Sequence, residues 1–161
     1  MADLRRANLR GADLRDINLH RANLSEADLT GANLSGANLR RAILVDAKLG
    51  EANLSNADLR RASLDFAHMQ KAIFREVNLM WATLNEADLS YADLRKGSLQ
   101  KAILKRANLS FCQLQSVDLI SADLTEANLS GANLSEARLN QAELSKVVFQ
   151  DTTMPDGSIR S

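Results

Sequence analysis

Along this chain apolar residues return at a fixed interval of five. Counting from Leu4 in steps of five to Phe149 gives thirty positions; 27 are Leu and the others are Met69, Phe74 and Phe149. Two residues before each of them, 24 of the thirty positions are Ala, the exceptions being Ile17, Val77, Gly97, Cys112, Val117 and Val147. No residue is inserted or deleted between the first repeat and the last. Neither standard element has this period. On an α-helix a step of five turns the side chain by roughly 140°, so the leucines would spiral round and form no face. On a straight strand an odd step sends successive leucines to opposite sides.

One arrangement satisfies the pattern. Ala and Leu, two apart, share one side of a short extended piece, and a turn then bends the chain so that the next pair points inward again. Each unit is three extended residues and a corner, and the units coil around an axis with leucine columns inside. The corner pairs, such as Ser35-Gly36, Thr30-Gly31 and Arg40-Arg41, are polar or flexible, and Gly11, Gly31, Gly36 and Gly131 stand where tight turns take glycine.

The units follow the pattern A-[D/N]-L-x-x, as in Ala32-Asn33-Leu34-Ser35-Gly36 and Ala122-Asp123-Leu124-Thr125-Glu126. This resembles the pentapeptide-repeat family over about residues 2–151. The resemblance implies an all-β fold, a right-handed quadrilateral β-helix with four pentapeptides per coil, so that thirty units make about seven and a half coils. With backbones about 4.8 Å apart the rod is on the order of 36 Å long. The expected organisation is a pentapeptide-repeat β-helix over 1–151 and a turn or cap tail over 152–161, where Met154-Pro155-Asp156-Gly157 reads as a turn and Thr152 takes an inward alanine position. Because the repeat starts at Ala2, the first coil is expected to present open backbone edges, and end-to-end self-association through it is one expectation.

Composition changes this picture little. Aromatics are 4% of the chain, so the core rests on Leu and Ala. Twenty basic residues balance twenty acidic ones, and no global field recruits nucleic acid or an anionic membrane. The balance is uneven along the chain: residues 1–106 hold 17 Lys/Arg against 13 Asp/Glu, and 107–161 hold 3 against 7. The single cysteine, Cys112, excludes an internal disulfide, and no apolar run suits a membrane span or a signal peptide. A cytoplasmic location is the expectation.

No catalytic, cofactor or metal constellation emerges. His20 and His68 are read as solvated wall residues on different sides of the coil, and Cys112 as a small inward residue. The Asn and Asp before each leucine are read as hydrogen-bonding the turns and one another, not as calcium ligands.

A twenty-residue coil places outer residues in columns. Arg21, Arg41, Arg61 and Lys101 share one, with Trp81 in the gap; His20, Arg40, Arg60 and Met80 adjoin it. This basic stripe with a central tryptophan is the candidate interaction surface, because Arg and Trp favour hot spots. The competing reading pairs it across the corner with an acidic column of Glu26, Asp46, Glu86 and Glu126. Tyr91 and Phe111, twenty apart, are expected to stack, and with Phe66 and Trp81 they suggest a mid-rod aromatic belt. The resulting expectation is a non-catalytic structural or protein-interaction scaffold. Two alternatives stand beside it: gyrase protection by DNA mimicry, which the family resemblance implies for some members, and nucleic-acid binding along the stripe.

Overall fold

A computed structural model describes residues 2–161. Every isolated bridge of the repeat joins residue i to residue i+20 in parallel, from Asp3–Asn23 to Asn133–Thr153. One lap is therefore twenty residues, and the laps stack as a right-handed, four-sided β-helix.

The backbone hydrogen bonds explain the repeat letter by letter. In the unit Ala22–Glu26, the Ala22 N–H donates to the Leu19 carbonyl (2.9 Å) and closes a turn. The Asn23 N–H donates to Ala2 in the preceding coil (2.9 Å); those of Leu24 and Glu26 donate to Ile43 (2.7 Å) and Val45 (2.9 Å) in the following one. That leaves the Ser25 N–H, which the side-chain Oδ1 of Asn23 accepts at 3.0 Å. Buried or half-buried amides need such partners, and an Asn or Asp two residues back has the right reach. The same bond recurs from Thr30 to Asp28 and from Thr125 to Asp123. In places the column also bonds to itself, as Asn38 Nδ2 does to Asn18 Oδ1 (3.1 Å).

Where Ser63 and Thr83 replace the Asx residue, Asp65 takes over. It accepts the Asn85 N–H (2.8 Å), the Asn85 amide (2.8 Å) and the Thr83 hydroxyl (2.6 Å).

The Ala and Leu columns are fully buried through the middle of the rod, while Leu4, Leu9, Leu14 and Ile17 of the first coil are only partly covered. Departures from Ala are compensated locally. Val77, Gly97 and Val117 follow one another in a single column, twenty residues apart, so a glycine separates two larger residues. A Cβ at Gly97 would lie 3.2 Å from Val77 Cγ1 and 3.0 Å from the Leu94 carbonyl oxygen.

The tail forms an antiparallel hairpin of β1 (Thr152–Thr153) and β2 (Ile159–Arg160). Thr152 is buried, and its hydroxyl donates to the Leu129 carbonyl at 2.7 Å. The Gly157 N–H closes the turn on Met154 (2.9 Å), and the Arg160 guanidinium lies 4.0 Å from the Phe149 ring centroid, over the last coil.

Candidate interaction surface

Each corner is a turn in which the leucine carbonyl accepts the N–H three residues on, and the second corner residue has positive φ. This is type II geometry, which normally asks for glycine at that place. Here 26 of the thirty corners in the run instead carry a non-glycine residue, with φ between 54° and 63°. Side chains there reach along the rod toward the same column of a neighbouring coil. Arg6 bonds to Glu26, Ser116 to Glu136 and Ser121 to Gln141, each twenty residues on.

That geometry corrects the expected pairing across the corner. Glu26, Glu86 and Glu126 take cations from their own column: Arg6 at 2.8 Å, Arg106 at 2.7 Å and Lys146 at 3.4 Å. The basic column is left to itself. Among the described residues, no carboxylate lies within 4.0 Å of Arg21, Arg41, Arg61 or Lys101 (all the ion pairs found are elsewhere). In the adjoining column Arg60 holds Asp58 with two bonds, 2.9 and 2.5 Å, while Arg40 stands 4.0 Å from the same carboxylate. Burial raises the Asp58 carboxyl, but hydrogen bonds from Arg60 outweigh it and hold the group below its ordinary range.

Trp81 is 49% exposed, and the Lys101 ammonium sits 4.5 Å from its ring centroid. Arg40, Arg41, Arg60, Arg61, Met80 and Trp81 together line a shallow groove. The structure thus brings Arg40, Arg41, Arg60, Arg61, Trp81 and Lys101 to one corner, with Arg21 one coil further along the same column.

Tyr91 and Phe111 stack on a different corner, with centroids 4.9 Å apart and planes 10° from parallel. A Cβ at Gly131, the next residue of that column, would lie 2.6 Å from the Phe111 ring, so the stack ends over a glycine. Phe66 occupies a third corner. The four aromatics therefore stand on three of the four corners and form no single patch.

His20 and His68 are exposed on separate sides. Cys112 is buried, its Sγ 2.9 Å from the Leu89 carbonyl oxygen, and burial pushes its thiol up to about 12. Asp93 is the one charged residue among the buried ones described; it binds Arg95 at 2.7 Å and Arg75 at 2.6 Å across two coils. Burial raises the Asp93 carboxyl, and the hydrogen bonds from Arg95 and Arg75 more than reverse this, holding it at about 2. Among the described residues no group of three His, Cys, Asp or Glu is placed to hold a metal ion. No helix is long and apolar enough to cross a membrane.

The left-handed corners leave one signal in the pattern. In thirty repeats the second corner position never holds Val, Ile or Thr, the residues least tolerant of positive φ.

Comparison with known proteins agrees with this architecture. A family model described as pentapeptide repeats (8 copies) matches residues 2–41, 42–79, 82–120 and 112–151. Trypsin-treated QnrB1, a plasmid-mediated fluoroquinolone resistance protein, is 19% identical with a TM-score of 0.69, covering 95% of this chain and 79% of its own. HetL, a pentapeptide repeat protein involved in heterocyst differentiation regulation in a Nostoc cyanobacterium, is 27% identical; it covers 96% of this chain and 92% of its own at a TM-score of 0.40. No curated protein sequence matches. The repeat lattice, the twenty-residue lap and the match over nearly the whole run make this chain a member of the pentapeptide-repeat family.

Proposed function

We propose that this pentapeptide-repeat scaffold acts without catalysis, as an interaction rod that docks an acidic protein partner on the corner formed by Arg21, Arg40, Arg41, Arg60, Arg61, Trp81 and Lys101. One observation carries the reading: Glu26, Glu86 and Glu126 of the acidic column are paired within the column, whereas Arg21, Arg41 and Arg61 have no carboxylate partner among the described residues. Arginines on adjacent coils, whose backbones lie about 4.8 Å apart, repel one another, and a docked anionic surface relieves that repulsion. A half-exposed tryptophan at the end of such a row adds apolar contact of the kind that dominates hot spots.

Capture experiments with the native rod and a Trp81→Ala, Arg61→Glu double variant test this. The native rod is expected to retain a defined partner that the variant loses, and the complex should weaken as salt rises. Identical partner lists would contradict the assignment.

The unpaired stripe also supports nucleic-acid binding as a second reading; absence of any mobility shift at low salt would dispose of it. DNA mimicry of the gyrase-protecting kind has less support. B-DNA carries one negative charge per about 1.7 Å, so a 36 Å mimic needs about twenty. This chain is formally neutral.

A further inference from the structure

We propose that the groove between the Arg40–Arg41, Arg60–Arg61 and Met80–Trp81 corners is a binding site for a nucleotide, the guanidiniums holding its phosphates and Trp81 its base. The inference rests on the preceding reading only for where the working face lies.

Three features converge there. First, the groove sets four guanidiniums against the single carboxylate of Asp58. Such a surplus suits the charge of a nucleoside triphosphate, and guanidinium forks bind phosphate oxygens in pairs. Second, Arg41 and Arg61 have no ion-pair partner among the described residues, so a phosphate engages them without first breaking a bond within the protein. Third, the tryptophan closes the same groove. Lys101, in the following coil, covers one face of the indole. Trp81 also lines the groove with Met80 and Arg61, and an indole there offers a surface on which a base can stack.

Carboxylates alone would satisfy the guanidiniums and leave Trp81 and Met80 idle, unless the partner also brings an apolar or planar group. A ligand that is planar at one end and polyanionic at the other uses all six residues together. The same chemistry is offered by a free nucleotide and by a single strand of nucleic acid, which could run on toward Arg21.

Trp81 is the only tryptophan, so its fluorescence reports the site directly. The native protein is titrated at low ionic strength with ATP, with inorganic tripolyphosphate and with a short oligothymidylate. ATP is expected to quench Trp81 saturably; tripolyphosphate should displace it without quenching. Arg41→Glu combined with Arg61→Glu should weaken ATP at least tenfold. Trp81→Leu, followed by calorimetry, should bring ATP down to the affinity of tripolyphosphate. Unchanged melting of the variants shows that the fold persists. Oligothymidylate binding far more tightly than ATP would identify a strand as the source of the ligand; ATP binding as well or better would identify a free nucleotide. The proposal is overturned if neither ATP nor the oligonucleotide quenches saturably. Equal binding of ATP and tripolyphosphate to the native protein, or indifference to the arginine substitutions, would overturn it as well. Failure here with partner capture still dependent on Trp81 and Arg61 removes this inference alone; the reverse result removes the docking assignment and keeps the site.

Discussion

At the scale of single residues, the fold is a set of small steric and hydrogen-bonding settlements. Gly97 is held small by Val77, whose Cγ1 would meet an added methyl at 3.2 Å. Its φ is not in the left-handed region, so the constraint is one of space. Gly97→Ala should cost about 1–3 kcal/mol by overpacking, and Val77→Ala about 1–2 kcal/mol by opening a cavity. Together they restore the ordinary Ala-on-Ala column, so denaturant titration of the pair should show a cost well below the sum; strict additivity would refute the compensation.

The Arg75–Asp93–Arg95 bridge is also local. Its carboxyl is held at about 2, below the ordinary 3.8, so the stability it adds is complete above about pH 4 and is lost progressively as the pH falls to about 2 and through it. Asp93→Asn should therefore cost about 1 kcal/mol at neutral pH and only a small fraction of that at about pH 2. A difference independent of pH would count against the bridge.

At the scale of the element, the corner decides most of what the rod presents. A left-handed residue is held in 23 of these 26 corners by both the turn bond and the coil-to-coil bond of its own N–H; Gln141, Lys146 and Asp151, in the last coil, have the turn bond alone. Gly31 and Gly131 allow a controlled comparison: same column, same φ of 67°, but only Gly131 lies under the Phe111 ring. Gly31→Ala should cost about 0.5–1 kcal/mol, from left-handed strain partly offset by the lower entropy of the unfolded chain. Gly131→Ala should cost about 1 kcal/mol more and disturb the Tyr91–Phe111 stack, visible in the near-ultraviolet dichroism. Equal costs would mean that the ring does not rest on that glycine.

The corner is also where the structure holds more than the sequence pattern specifies. The Leu and Ala spacing dictates extended thirds and inward columns, and the Asx position follows from the one N–H that neighbouring coils leave free. Column membership was legible as well, since it needs only the twenty-residue lap; the Tyr91–Phe111 stack follows from it. What the letters do not say is the direction in which a corner side chain leans. That direction follows from positive φ, and it turns Glu26, Glu86 and Glu126 toward Arg6, Arg106 and Lys146 of their own column and away from the arginines of the stripe. The basic stripe was visible as a composition; its freedom from internal partners was not.

At the scale of the whole molecule, the rod is a stack in which each coil bonds only to its neighbours, so stability is close to a sum over coils. Amide exchange should be slowest through the fully buried middle and fastest in the two end coils, where Leu4, Leu9, Leu14 and Ile17 at one end and Leu139, Ala142, Leu144 and Val147 at the other are only partly covered. Uniform protection along the rod would contradict this. Net neutrality predicts that the purified protein leaves gyrase supercoiling uninhibited; inhibition would revive the mimicry reading despite the charge.

All of the surface assignments depend on a lap of twenty residues that stacks the Arg21 column into one straight line. Spin labels at Arg21→Cys and Ser121→Cys, in a Cys112→Ala background, measure that line across five laps. The account predicts one narrow distance distribution near 24 Å, widened only by the label arms. A broad distribution, or one centred well beyond about 35 Å, would place the two residues on different walls and dissolve the stripe.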